Sequence, residues 1–184
     1  MTVNFQDSAV SQKIRDQAWR LAATKHNGAL YPGTDLPYLT HIGAVTLALQ
    51  IGLSDSPWAD QDLAILCAIL HDVIEDTPTP ASELAQMFGE TVANGVLALS
   101  KNPELKGLEA MTDSLWRIRL SPREVWLVKL ADRLANMTNK PSHWTAEKCH
   151  RYAQEAELII ASLGEASPTL ANLLSHQIQV WLSF

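Results

Sequence analysis

The run from Leu63 to Leu70 is apolar at every position, so a helix built from it has no face suited to water. Such a helix has to be surrounded by other elements on all sides. The pattern predicts a helix over residues 60 to 76, ended by Pro78 because the residue before a proline avoids helical torsions. The rest of the chain is therefore expected to pack around this helix.

Most other segments repeat apolar residues at helical spacing, with proline and glycine between the repeats. The first repeat, with Ile14, Ala18 and Leu21, fades near Gly28. Further helices are predicted over residues 40 to 52, 79 to 89, 91 to 100, 108 to 118, 121 to 137, 144 to 163 and 168 to 182. No alternating apolar and polar run is long enough to predict a strand. We expect an all-α fold of about eight helices, with residues 1 to 184 in a single domain.

Local signals set some of the helix ends. Gly52 stands where the C′ glycine of the second helix belongs. The sequence from Ser121 to Glu124 combines a capping box with a proline at the first helical position. Between the first two helices, residues 29 to 38 carry two prolines and Gly33, which predicts an irregular loop.

The composition narrows the classes of function. The chain lacks an apolar run of the roughly 18 residues that a membrane helix needs, and its first residues are polar, so we expect a cytoplasmic protein with no membrane partner. Cys67 and Cys149 are expected to be reduced thiols. A net charge of −6 disfavours nucleic acid as a partner. A small phosphorylated substrate would need a metal ion and a few placed cations to offset the same charge.

The segment from His71 to Asp76 places one imidazole and three carboxylates at the C-terminal end of the apolar helix. Carboxylates there oppose the helix dipole, at a cost of about 0.3–1 kcal/mol each when exposed. On a regular helix His71 lies over Glu75 and Asp72 over Asp76, so the four groups converge. A divalent cation would neutralise them, and imidazole with carboxylate suits Mn, Fe, Co or Zn. The alternative is a solvated helix end.

Two more candidate ligands lie on other predicted helices. Asp132 interrupts an apolar helix, and a buried carboxylate needs a partner or a metal. An ion pair with Lys129 or Arg133 would also satisfy it. His41, in the first turn of the second helix, could be a structural histidine. Each residue taken alone leaves these alternatives open.

The ordered set His41, His71 with Asp72, and Asp132 falls on three helices that must all pack inward. This set resembles the metal signature of the HD superfamily. At a finer level the chain resembles the small alarmone hydrolases and the hydrolase domain of RelA/SpoT-type stringent-response enzymes. The family motif H-D-x-x-E-D-T is intact from His71 to Thr77, and V-K-L-A-D-R-L-x-N-M is intact from Val128 to Met137.

Weaker parts of the resemblance flank these motifs. The family's G-x-P-Y-x-x-H stretch spans residues 33 to 41 here and is two residues longer. The family's W-x-x-x-R-x-x-x-Y stretch is represented by Trp144, Lys148 and Tyr152, with lysine in place of arginine. The resemblance covers about residues 14 to 163 and leaves residues 165 to 184 as an extra C-terminal helix.

The resemblance implies an HD-type helical bundle, one Mn ion, and removal of pyrophosphate from the ribose 3′ position of guanosine tetra- or pentaphosphate, (p)ppGpp. A metal held by two histidines and two aspartates would keep positions open for a water and for a phosphate oxygen. Glu75 and Asp76, one turn beyond the ligands, would transfer protons, with Glu75 as the principal acid/base group.

Candidate substrate contacts are less distinct. The resemblance places Asn136 near the ribose or the reacting phosphate, and Lys148 at a phosphate. Lys25 is a further phosphate candidate, although an ordinary surface charge would explain it equally well. The remaining candidates are the aromatic residues Trp144, Tyr152 and Tyr31, of which Trp144 and Tyr31 could stack on a base.

The loop of residues 29 to 32 lacks the arginine that this family packs against guanine. Guanine recognition therefore does not carry over, and the adenosine analogues, (p)ppApp, become possible substrates. Two other functions stay open: a phosphatase for another nucleotide, such as a nucleoside monophosphate or the 2′-phosphate of NADPH, and a non-catalytic nucleotide sensor. The sequence leaves the physiological metal and the oligomeric state undetermined.

Overall fold

The structure is a computed structural model that describes residues 5 to 183. These residues form ten α-helices and one short 3-10 helix, and the described chain contains no strand. The helices are α1 (Phe5–Lys25), α2 (Leu39–Ser54), α3 (Gln61–Leu70), α4 (Val73–Asp76), α5 (Ala81–Phe88), α6 (Glu90–Leu99), α7 (Gly107–Arg119), α8 (Arg123–Asn136), α9 (Ala146–Leu163) and α10 (Pro168–Leu182). The predicted all-α class is confirmed. None of the described helices is long and apolar enough to cross a bilayer.

The apolar helix is central, as its sequence predicts. Residues 64 to 70 of α3 are all buried, and α3 packs against α1, α2, α6 and α8. Its first turn is fixed by the Asp60 side chain, which accepts hydrogen bonds from the backbone N–H groups of Asp62 and Leu63. Since α2 also packs along α8, the three helices meet around one region of the core.

The helix predicted over residues 60 to 76 is divided, which corrects the sequence expectation. It ends at Leu70, and α4 begins at Val73. Between them Asp72 has φ −100° and ψ −2°, away from regular helical torsions. Glu75 and Asp76 therefore belong to a separate short helix that packs against α6 rather than continuing the rows of α3.

Two of the predicted capping roles are wrong, because Glu124 and Gly52 serve tertiary contacts instead. The Ser121 hydroxyl bonds to the carbonyl of Arg117, and the buried Glu124 carboxylate accepts from the backbone N–H of Asp60 at 2.8 Å, so no capping box forms. Gly52 does not end α2, which continues to Ser54. A Cβ on Gly52 would lie 2.5 Å from Cδ1 of Leu170, so this glycine allows α10 to approach α2.

Replacing Gly52 with alanine should therefore destabilise the protein, with Gly43→Ala in the same helix as the matched control. A Cβ on Gly43 meets nothing within 4 Å. Gly43→Ala should raise the free energy of unfolding by about 0.5–1 kcal/mol, because alanine loses less backbone entropy than glycine. Gly52→Ala should lower it by about 1–2 kcal/mol, because overpacking at fully buried Leu170 outweighs that gain. Urea denaturation measures both, and equal stabilisation by the two variants would contradict the close approach.

Candidate metal centre and active site

The structure brings the four predicted metal ligands together where α2, α3 and α8 meet. Nε2 of His41 lies 3.1 Å from Nε2 of His71. Oδ2 of Asp72 lies 2.8 Å from Nε2 of His71 and 3.4 Å from Nε2 of His41. Oδ1 of Asp132 lies 3.5 Å from Nε2 of His41 and 3.9 Å from Nε2 of His71. His41, His71 and Asp132 each offer one ligand atom within 4.8 Å of the others, and Asp72 touches both imidazoles.

Neighbouring groups orient two of these side chains. Nδ1 of His71 bonds to the carbonyl of Ala68 at 2.8 Å, which leaves Nε2 directed at the cluster. The two oxygens of the Asp132 carboxylate have different partners. Oδ2 pairs with the Lys129 ammonium at 3.0 Å, and Oδ1 accepts a hydrogen bond from the Asn136 amide at 2.6 Å. The ion pair considered as an alternative to ligation is thus present, yet Oδ1 still faces the two histidines.

The electrostatics of the cluster indicate where a cation would fit. Burial lowers the pKa of His71, but the charge and hydrogen bond of Asp72 outweigh burial and raise this pKa to about 9. Burial raises the pKa of Asp132, but the Lys129 ammonium and the two imidazoles lower it to about 2. Burial likewise opposes the Asp72 carboxylate, while His71 holds its pKa well below the usual range. Each buried carboxylate thus stays ionised through positive charge in the cluster.

The donor set fits a divalent transition metal. Two imidazole nitrogens and two carboxylate oxygens converge on one small volume, and this ligand mix suits Mn, Fe, Co or Zn. A bound cation would supply the positive charge that protons on the imidazoles otherwise provide. The residues present therefore match the requirement of a single metal site.

The two candidate proton-transfer groups have different surroundings. The Glu75 carboxylate accepts from the backbone N–H of Lys101 at 2.8 Å and from its ammonium at 3.1 Å. Asp76 is exposed, but desolvation of its carboxyl group together with the negative charge of Asp72 raises its pKa. Both side chains line the same cavity as the metal ligands. Asp76 is therefore the carboxyl group that holds a proton more readily than an ordinary aspartate.

Tyr38 lies near both Asp72 and Asp76. Its hydroxyl donates to Oδ2 of Asp72 at 2.5 Å, and its proximity to Asp76 partly offsets the rise in the pKa of that carboxyl group. Its ring stacks on the imidazole of His26, with centroids 4.6 Å apart. The sequence analysis did not assign Tyr38 to the site, although its place in the stretch of residues 33 to 41 was the signal that could have identified it.

A cavity of about 340 Å³ opens over the cluster. Four predicted substrate contacts line it, namely Tyr31, Asn136, Trp144 and Tyr152. The irregular first loop folds back on itself, since Tyr31 N–H bonds to the carbonyl of Leu36 and Tyr38 N–H bonds to the carbonyl of Ala29. This places the Tyr31 ring parallel to His41, with centroids 5.2 Å apart.

Two predicted phosphate contacts are not among the residues that line this cavity. Lys25 pairs with Glu83 at 2.9 Å and ties α1 to α5. The Lys148 ammonium lies 4.0 Å above the ring of Trp144. The cations that do line the cavity are Lys101 and Lys129, which the sequence analysis did not propose as substrate contacts.

Three lining residues, Lys101, Lys129 and Trp181, were not predicted from the sequence to lie in the site. No sequence signal pointed to Lys101, because it lies 26 positions from Glu75 and follows the end of α6. Lys129 was visible only as an ion-pair partner for Asp132. Trp181 was visible only as one apolar residue of the last helix.

Comparison with known proteins agrees with this geometry. The HD domain family model matches residues 18–169. *Escherichia coli* K12 SpoT, a bifunctional (p)ppGpp synthase/hydrolase, is 33% identical over 172 residues, which are 90% of this chain but 22% of SpoT. The chain thus spans about a fifth of the length of SpoT. The *Danio rerio* guanosine-3′,5′-bis(diphosphate) 3′-pyrophosphohydrolase MESH1 is 30% identical over 160 residues, which are 84% of this chain and 87% of MESH1.

Solved structures have the same fold. A metazoan ortholog of SpoT that hydrolyses ppGpp superposes with a TM-score of 0.77 and 25% identity, over 91% of this chain and 94% of that one. A *Listeria monocytogenes* protein shares the fold with a TM-score of 0.64 and 18% identity, over 81% of this chain and 99% of that one. The predicted resemblance is confirmed: this chain belongs to the HD domain family, in the group of hydrolases that includes SpoT and MESH1.

Proposed function

We propose that this protein is a metal-dependent 3′-pyrophosphohydrolase that acts on purine nucleotide alarmones, (p)ppGpp and also (p)ppApp. The observation that carries the proposal is the cavity itself. The metal-ligand side chains, the carboxylates of Glu75 and Asp76, and the aromatic side chains of Trp144 and Tyr152 all line it. The two aromatic rings are in edge-to-face contact. The activity named for the relatives supports the choice of substrate.

His41, His71, Asp72 and Asp132 are the proposed ligands of one Mn ion. When bound, the metal supplies Lewis acidity, which lowers the pKa of a coordinated water and polarises a phosphate oxygen. The protein contributes the orientation of the ligands. The bond from His71 to the Ala68 carbonyl and the ion pair from Lys129 to Asp132 fix them before any ligand binds.

The reaction breaks the bond between phosphorus and the ribose 3′ oxygen. A water oxygen forms the new bond to that phosphorus and gives up a proton to a base, which releases free pyrophosphate. The ribose 3′ oxygen is the leaving group and takes a proton from an acid. Glu75, held in place by Lys101, is the proposed principal acid/base group. Asp76, whose pKa is raised by desolvation and by Asp72, is the proposed second proton carrier.

The charges of the cavity suit this substrate. Lys101 and Lys129 line the cavity beside Glu75 and Asp132 and would attract phosphate oxygens despite the net charge of −6. Asn136 donates to Asp132 and accepts from the Tyr31 hydroxyl at 3.4 Å, which supports it as a proposed ribose or phosphate contact. The base would lie against the aromatic side chains.

The direct test of the proposal is to incubate purified protein and Mn with a panel of nucleotides and to identify the products. Guanosine tetraphosphate should yield GDP and pyrophosphate, and oxygen from isotopically labelled water should appear in the pyrophosphate. Release of orthophosphate from a nucleoside monophosphate or from NADPH, with no pyrophosphate from either alarmone, would favour the alternative phosphatase. Binding without turnover would favour the sensor.

The same panel tests base recognition. The loop lacks an arginine for guanine, and losing one cation–π or stacking partner removes roughly 0.5–2 kcal/mol of discrimination. The kcat/KM values for guanosine tetraphosphate and its adenosine analogue should therefore agree within about 100-fold, or ~2.7 kcal/mol. A larger preference for guanine would mean that another residue reads the base edge, with Tyr31 and Trp144 as the first candidates.

Metal analysis tests the ligand set. Purified protein should carry about one transition metal per chain, with Mn preferred, and the double variant His71→Ala, Asp72→Ala should lose it because two of four donors are removed. His150 is exposed, so His150→Ala is the matched control and should retain the metal. Equal metal content in the double variant and the wild type would refute the site.

Kinetics test the role of Glu75. Glu75→Gln should keep the metal but lower kcat at least ~100-fold, because the amide cannot transfer the proton. Glu104 is an exposed glutamate outside the cavity, and Glu104→Gln should leave kcat unchanged. Near-normal turnover of Glu75→Gln would move the role to Asp76, which Asp76→Asn would then reveal.

A further inference from the structure

The last helix lies mostly outside the part of the chain that matches the HD domain family model, which ends at residue 169. It is nevertheless firmly built into the fold. The Asp55 carboxylate accepts from the Ser167 hydroxyl at 2.9 Å and from the backbone N–H of Thr169 at 3.2 Å, which fixes the start of α10. One face of α10 is buried along its length, through Leu170, Leu174, Ile178 and Trp181.

The far end of α10 reaches the active-site cavity. Trp181 is 2% exposed and lines the cavity. Its indole N–H donates to the carbonyl of Cys149 at 3.2 Å. Its ring centroid lies 5.9 Å from that of Trp144 and 5.5 Å from that of Tyr152, so the three rings form one aromatic wall.

The helix also holds the segment of residues 137 to 145, which carries other lining residues. The Gln177 amide donates to the carbonyl of Met137 at 2.7 Å. The Lys140 ammonium donates to the carbonyl of Trp181 at 3.1 Å. Asn139, Pro141 and Trp144 in this segment all line the cavity. The helix therefore braces one wall of the site from behind and contributes Trp181 to it directly.

We infer that Trp144 and Tyr152 form the wall that binds the nucleoside part of the substrate, and that α10 braces this nucleoside-binding wall with Trp181 as its positioning residue. The inference rests on the proposed function for the identity of the nucleotide. An aromatic wall offers flat apolar surface to a purine base and no charge to a phosphate. The proposed metal ligands, Lys101 and Lys129 lie on α2, between α3 and α4, on α8 and in the segment after α6. Changes in α10 should thus affect nucleoside binding and leave pyrophosphate binding intact.

The test compares the binding of GDP and of inorganic pyrophosphate to the Mn-loaded full-length chain by calorimetry. Trp181→Ala should weaken GDP binding about tenfold, because Trp144 and Tyr152 lose the ring that they pack against. It should change pyrophosphate affinity by less than about twofold, because the proposed phosphate contacts are on other elements. Trp181→Phe, which keeps a ring in the wall, should restore most of the GDP affinity.

Two further variants keep the test decisive if Trp181→Ala folds poorly. Ile178 is buried on the same face of α10 but does not line the cavity, so Ile178→Ala should destabilise the helix without changing GDP affinity in the folded protein. Gln177→Ala removes only the bond to the Met137 carbonyl and should weaken GDP binding roughly threefold, a loss typical of one hydrogen bond.

The outcomes separate this inference from the proposed function. Equal GDP affinity in wild type, Gln177→Ala and folded Trp181→Ala would overturn the inference, as would equal weakening of GDP and pyrophosphate. If the wild type does not hydrolyse alarmones but its GDP affinity still depends on Trp181, the proposed function fails and the nucleoside-binding wall stands.

Discussion

The structure depends on one cluster of polar side chains in the core. Nε2 of His41 and Nε2 of His71 lie within about 4 Å of each other and of one carboxylate oxygen each of Asp72 and Asp132, at the meeting point of three helices. Removing such charges from water costs several kcal/mol per ion unless partners are in place. The partners here are specific: the Ala68 carbonyl for His71, the Lys129 ammonium for Asp132 and the Tyr38 hydroxyl for Asp72. A divalent cation would complete this balance.

The packing around this cluster explains why the apolar run in the sequence predicted where the polar side chains would lie. Because α3 is surrounded by other helices, His71 at its end is buried in the interior of the bundle. His41 reaches the same point from the first turn of α2, and Asp132 reaches it from an apolar stretch of α8. The polar residues within apolar helical segments, taken in chain order, thus predicted which side chains would lie close together.

The sequence was less informative wherever a residue serves a distant contact. Glu124 reads as part of a capping box, but its carboxylate binds the backbone of Asp60 across the core. Gly52 reads as a helix end, but it makes room for Leu170 of α10. Lys101 carries no local signal, because its partner Glu75 is set by how α4 packs on α6. Local patterns register neighbours along the chain, whereas these roles depend on neighbours in space.

Two chemically different sets of side chains line the cavity. The proposed metal ligands with Lys101 and Lys129 would bind metal and phosphate, and the aromatic side chains braced by Trp181 would bind the nucleoside. The first of these roles rests on a metal held between His41, His71, Asp72 and Asp132. Anomalous diffraction from crystals grown with manganese, recorded at the manganese absorption edge, tests that point most directly. We predict one strong anomalous peak per chain, at a position within bonding distance of all four side chains. No peak between them, with Asp132 bound only to Lys129 and Asn136, would contradict it.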